Sequence, residues 1–187
     1  MRHVLILISM SILASCGKYS TSETSDDNGN SFTEFLSRIP HQSLPLELSC
    51  GLPDQTAFAD DLKTFKEFIP KSVDRIFGTI KSNNESYKLV IFGQSGDDIY
   101  PVIFSFDNIG QVRDSLFLIL HGCGGADDSQ IPYSFISIDK NIRITLVDTT
   151  RFVHFTENGS TDDYVMDSLK VSRVTMRLDK NGRFEKD

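Results

Sequence analysis

The sequence predicts a mainly β fold of the α+β class: an antiparallel β-meander sheet of about seven strands with one or two short helices at its N-terminal side. Three observations lead there. From Arg75 onward apolar residues recur with a period of two. Three turn sequences of the same kind punctuate those runs, at Asp107-Asn108-Ile109-Gly110, Asp139-Lys140-Asn141-Ile142 and Asp179-Lys180-Asn181-Gly182. No helix-period segment separates successive strands, which argues against a parallel doubly wound sheet and against a Rossmann-type cofactor site.

The chain has 187 residues, 39% of them hydrophobic and 24% charged, with 14 Phe and no Trp. That is the composition of one ordinary globular domain. Lys and Arg total 19 against 26 Asp and Glu, for a net charge of −7. A surface with that balance repels a polyphosphate backbone, so no nucleic-acid partner is expected.

Residues 1–15 read as a signal peptide: Arg2, then an apolar run from Val4 to Leu13, then the small residues Ala14 and Ser15 before Cys16. The run is about half of the roughly 20 residues a spanning helix needs. Leu13-Ala14-Ser15-Cys16 resembles the lipobox of bacterial lipoproteins. The resemblance implies cleavage before Cys16, acylation of that residue, and a membrane partner reached through the N-terminal lipid. Each buried methylene contributes about 0.8 kcal/mol, so several chains on one residue make a lasting anchor. The polar segment up to Asn30, rich in Ser, Thr, Asp and Asn, reads as a disordered tether over 16–30.

A single β-rich domain is expected over 31–187. Ser31 and Glu34 fit a capping box for a helix ending near Arg38. Pro40 and Pro45 hold the chain extended from His41 to Leu48. Phe58, Leu62, Phe65 and Ile69 recur at helical spacing and predict a second helix from Thr56 to Phe68, ended by Pro70. Strands are predicted over Ile76–Ile80, Tyr87–Phe92, Tyr100–Phe106, Val112–Leu120, Tyr133–Ile138, Ile142–Asp148 and Val171–Leu178, each rich in β-branched and aromatic residues. Within two of them Ile144 and Leu146 oppose Arg143 and Thr145, and Val174 and Met176 oppose Arg173, Thr175 and Arg177, so one sheet face is wet.

The lipobox, the tether, Phe35-Leu36 followed by Leu44-Pro45-Leu46, and hairpins of the form Phe106-Asp107 to Asp114-Ser115-Leu116 together resemble small uncharacterised lipoproteins of Bacteroidetes. The resemblance implies the cell envelope, with the outer membrane favoured because no Asp follows Cys16, and leaves the leaflet and the activity open. Asp114-Ser115-Leu116, Asp148-Thr149-Thr150 and Asp167-Ser168-Leu169 resemble the three-residue sites at which such bacteria attach O-glycans to exported proteins.

Two cysteines remain after Cys16. Cys50 and Cys123 would lie in an oxidising compartment, where pairing is the default, and their bridge would close a loop of roughly 74 residues worth about 4 kcal/mol. The alternative is a reactive thiol at Cys123 with His121 as base, inside His121-Gly122-Cys123-Gly124-Gly125. That stretch lacks a third member and is followed by no G-x-S-x-G elbow, so serine hydrolase chemistry is excluded and catalysis is the weaker reading. The sequence also lacks paired His at helical spacing, C-x-x-C and a P-loop, so zinc and nucleotide cofactors have no support.

If the three aspartate turns share one end of the meander, the loops at the other end carry Asp97-Asp98, Asp127-Asp128 and Asp162-Asp163. Such a rim suits Ca²⁺ or a basic partner, or simply keeps loop tips soluble. Apart from that Ca²⁺, no cofactor is expected. The reading that results is a lipid-anchored cell-envelope protein, non-catalytic, binding an envelope protein partner or serving structurally. Its alternatives are an envelope enzyme using Cys123 and His121 or the acidic rim, and an inhibitor or immunity lipoprotein using the Gly122–Gly125 loop as a plug.

Overall fold

In a computed structural model the residues described are 25–49, 57–82, 84–95, 99–119, 130–155 and 164–187. The first element is helix α1, Ser25–Ser37. It starts before Ser31, so the Ser31–Glu34 pair lies inside the helix instead of capping it. The C-terminus tightens through Arg38 N–H to Phe35 O at 3.1 Å and Ile39 N–H to Leu36 O at 3.3 Å, just ahead of Pro40.

The extended segment after Pro40 becomes two strands, β1 (His41–Gln42) and β2 (Leu46–Ser49), which join different sheets. The second predicted helix is realised differently. Ala57–Phe58 form strand β3, and Ala59–Phe68 form consecutive 3₁₀ turns, interrupted by non-helical backbone at Leu62 and Phe65. Leu62, Phe65 and Phe68 are spaced by three, the repeat of a 3₁₀ turn, so this winding directs all three toward the core.

The remaining strands are β4 (Val73–Ile80), β5 (Lys88–Ser95), β6 (Ile99–Phe106), β7 (Val112–Phe117), β8 (Gln130–Ile138), β9 (Ile144–Phe155), β10 (Tyr164–Leu178) and β11 (Phe184–Lys186). The β-rich α+β class holds, but the strands divide between two sheets. The first has the order β1-β4-β5-β6-β7, with β3 also on β4; the second runs β11-β10-β9-β8-β2. Each is a meander of antiparallel neighbours except that β1 pairs with β4 in parallel.

The division follows from which faces are apolar. Leu89, Ile91 and Ile103 of the first sheet pack with Leu48, Ile136, Ile138, Ile144 and Leu146 of the second, forming the core between the sheets. The other face of the first sheet is also apolar. There Ile76, Val90, Phe92 and Phe106 pack with Phe32, Phe35 and Ile39 of the α1 segment and with Phe65 and Phe68. Phe32 sits 5.0 Å from Phe68 and 5.4 Å from Phe106 between ring centroids, and Phe35 sits 5.5 Å from Phe68. Tilted pairs of this kind contribute about 0.5–1.5 kcal/mol each beyond burial. The molecule is therefore three layers: helical segments, a sheet buried on both faces, and a sheet buried on one.

The three aspartate turns have one geometry. In each, the Asp N–H donates to the carbonyl four residues on and its carbonyl accepts from the residue three on: Asp107 with Gln111 and Gly110, Asp139 with Arg143 and Ile142, Asp179 with Arg183 and Gly182. This is a three-residue hairpin loop whose last residue is left-handed. Gly110 (φ 86°) and Gly182 (φ 79°) meet that requirement at no steric cost. In the second turn the left-handed residue is Ile142 (φ 60°), not Asn141. A β-branched residue there is an outlier, and its burial in the core between the sheets offsets the cost.

That offset is testable. Ile142→Ala keeps the left-handed cost and removes core contacts, for an expected loss of about 2–4 kcal/mol. Ile142→Gly removes slightly more side chain but relieves about 1 kcal/mol of backbone strain. Urea denaturation is expected to show the glycine variant at least as stable as the alanine variant; a clearly lower glycine midpoint would mean that position 142 carries no strain.

Candidate functional site

The aspartate turns do share one end of the molecule. A polar cavity of about 310 Å³ is lined by Asp139, Asn141 and Arg143 from the second turn, Arg177 and Leu178 from beside the third, and Tyr87 from the first sheet. A Cβ on Gly182 would come within 2.5 Å of Ser105 Oγ and 3.0 Å of Tyr87, so only glycine lets the third turn close onto the first sheet. Two arginines that line the cavity are already matched. Arg143 lies 3.1 Å from Asp187, and Arg177 Nε lies 3.0 Å from Glu185.

Each turn aspartate also accepts two backbone N–H groups through Oδ1: Ile109 and Gln111 onto Asp107, Asn141 and Arg143 onto Asp139, Asn181 and Arg183 onto Asp179. At Asp179 the Arg183 N–H is the largest influence, and it holds the carboxyl below its ordinary range.

The broadest exposed feature is the outer face of the second sheet. Strand register lays out four cross-strand rows there: Ile131–Arg151–Leu169, Tyr133–Thr149–Val171, Phe135–Val147–Arg173 and Ser137–Thr145–Thr175. The alternate residues Ile136, Ile138, Ile144 and Leu146 point inward and are buried. Tyr133, Leu169 and Val171 are 47%, 52% and 57% exposed, with half-buried Phe135 and Val147 between them. Arg151 stands in the middle of the first row and Arg173 at the β10 side of the third, and neither lies within ion-pair distance of a carboxylate among the described residues. The face therefore combines an apolar centre, threonine hydroxyls and two uncompensated guanidinium groups.

At the far end of that face β10 bulges between Met166 and Ser168. Asp167 sits in the bulge and lies 2.7 Å from His154 Nδ1, both exposed. On the inner face Ser134 Oγ donates to Asp148 Oδ1; the two residues face each other across β8 and β9 and are buried. The sequence pattern already carried that signal, because Asp148 has the same parity as Ile144 and Leu146.

The predicted site residues Cys16, Cys50, His121, Cys123, Asp97, Asp98, Asp127, Asp128, Asp162 and Asp163 all lie outside the described residues, as do Glu157 and the Gly122–Gly125 segment. The strand ends nearest the three doublets, at Ser95 and Ile99, at Gln130, and at Phe155 and Tyr164, are opposite to the ends that carry the aspartate turns. Among the described residues no cluster of three His, Cys, Asp or Glu side chains could hold a metal ion, and no helix is long and apolar enough to cross a membrane.

The three glycan-like sequences separate on geometry. Asp114 Oδ1 accepts from Ser115 N–H, and its Oδ2 accepts from Phe184 N–H of β11 at 2.8 Å. Asp148 is only 5% exposed, and Thr149 Oγ1 donates to Tyr133 O at 3.2 Å. In Asp167-Ser168-Leu169 all three residues are exposed.

Compared with protein families, with curated proteins and with solved structures, the chain matches none.

The lowered Asp179 carboxyl sets the direction of an acid response. Its folded pKa lies below its unfolded one, so its contribution is complete above about pH 4 and is lost as pH falls through the lowered folded value. Asp179→Asn keeps an acceptor for the Asn181 and Arg183 N–H groups but cannot titrate. Thermal melts across that window are expected to show a shallower acid slope for the variant, and an unchanged slope would remove Asp179 from the acid response.

Proposed function

We propose that the protein is a lipid-anchored module of the cell envelope that binds an envelope partner and performs no chemistry, held to the membrane through Cys16. Its docking surface in this reading is the outer face of the second sheet. The observation that carries the reading is the row Tyr133–Thr149–Val171 with its neighbours Phe135, Val147 and Leu169: apolar side chains left in water on a flat sheet. Tyr133 and Val171 are about half exposed, so a partner that buried them would gain on the order of half of the roughly 1.5–3 kcal/mol that full burial of a large apolar side chain contributes. Aromatic anchors and arginines are the residue types that dominate interface energies, and this face holds both.

Arg151 and Arg173 select for a partner with carboxylates around an apolar centre. On this face Glu185 is engaged by Arg177, and no described carboxylate pairs with Arg151 or Arg173, which leaves both to an external acid in this reading. The Gly-flanked Cys123 would then be half of a bridge to Cys50 and not a nucleophile, in keeping with an oxidising compartment.

Two measurements test this. Cys16→Ser is expected to lose its lipid mass and move from the membrane to the soluble fraction. A photo-reactive residue at position 133 or 171 is expected to give one common cross-linked adduct in intact cells, with none from position 180 in the third turn. Equal membrane association of the Cys16 variant would overturn the anchor, and the absence of any adduct from both face positions would overturn the docking surface. Thiol titration of the denatured mature protein is expected to find no free Cys50 or Cys123.

A further inference from the structure

On the helical side of the first sheet, a cavity of about 280 Å³ is lined by Leu36 of α1, His41 of β1, Thr79 and Ile80 of β4, and the lysines that flank the β4–β5 hairpin. Those lysines are Lys81 and Lys88. Ile80 pairs with Leu89 across the hairpin, so the residues next to that pair, Lys81 and Lys88, adjoin across the two strands. Like charges placed side by side on a strand pair destabilise it. Neither ammonium group has a carboxylate within ion-pair distance among the described residues, although the chain as a whole carries a charge of −7.

The rest of the lining is apolar or already engaged. Leu36 packs at the margin of the phenylalanine cluster, whereas the side chains of Ile80 and Leu89 are buried in the core between the sheets. His41 Nδ1 lies 3.4 Å from Thr79 Oγ1, and Thr79 N–H donates to Pro40 O at 2.8 Å. These contacts tie the β1 side of the cavity to β4, so the wall is fixed by main-chain pairing and not by a loop. An apolar concavity with two adjacent cations that no described carboxylate pairs is complementary to a small molecule that is greasy at one end and anionic at the other.

We propose that this cavity is a binding site for a single-chain anionic amphiphile, whose headgroup is held by Lys81 and Lys88 and whose chain lies against Leu36. The volume, about 280 Å³, lies just below the roughly 300–1,000 Å³ typical of ligand pockets, which disfavours a two-chain lipid and suits a short acyl chain. A carboxylate and a phosphate monoester share the required chemistry. The site is independent of the lipid on Cys16 and of the outer face of the second sheet.

The test is isothermal titration of the purified protein with octanoate, octyl phosphate, octanol and acetate. At least one of the two octyl anions is expected to saturate a single site, with octanol and acetate at least tenfold weaker. The tighter anion identifies the headgroup: octanoate points to a free fatty acid and octyl phosphate to a phospholipid fragment. The double variant Lys81→Gln/Lys88→Gln is expected to weaken the anions at least tenfold and leave octanol unchanged. Lys66→Gln/Lys71→Gln, at a separate surface hollow beside the 3₁₀ turns, is the control and is expected to bind normally. Should the Lys81/Lys88 double variant fold poorly, Lys81→Glu alone, at an exposed position, serves in its place with the same expected loss. No saturation by either anion, or equal weakening by the two lysine pairs, overturns the proposal.

Discussion

A sheet that is apolar on both faces cannot remain in water, and β4, β5 and β6 form such a sheet. Val90, Phe92 and Phe106 point to one side; Leu89, Ile91 and Ile103 point to the other. Strand alternation makes it impossible to bury one set without presenting the other. Two coverings are therefore required. The second sheet supplies one through Ile136, Ile138, Ile144 and Leu146, and the phenylalanines of α1 and the 3₁₀ turns supply the other. The rest of the architecture follows from that demand, including the early departure of β1 and β2 to different sheets.

The strands and turns were legible because each is a local matter. Asp107, Asp139 and Asp179 organise their own backbone within four residues, so the turn chemistry is written in consecutive letters. Strand alternation likewise identified Ile144 and Leu146 as inward-facing. The partition into two sheets was less accessible, because a meander of hairpins has the same local signature whether it continues or folds over. The clue was the loss of a polar face over β5 and β6, where Leu89 to Phe92 run as four consecutive apolar residues. The 3₁₀ winding was hidden for a different reason: Phe58, Leu62, Phe65 and Ile69 suit an α-helix, and only packing against the sheet favours the three-residue repeat of Leu62, Phe65 and Phe68.

The surface features were harder still to read in advance. Arg151 and Arg173 are 22 positions apart in the chain and become neighbours of one apolar patch only through the β9–β10 register. Lys81 and Lys88 adjoin because a hairpin returns between them. In both cases the sequence shows ordinary surface cations, and tertiary pairing makes them a chemical feature. The aspartate doublets, by contrast, stand out as letters and lie outside the described residues.

The contact between Asp114 Oδ2 and the Phe184 N–H carries a further consequence. Strand β7 ends the first sheet and β11 ends the second, and this bond ties one border to the other. A β7 whose flank is occupied by its own chain is a poor template for recruiting a neighbouring molecule through main-chain ladders. Among copies brought to high local density, that tie would favour separate units and leave side-chain faces as the places where they meet anything else.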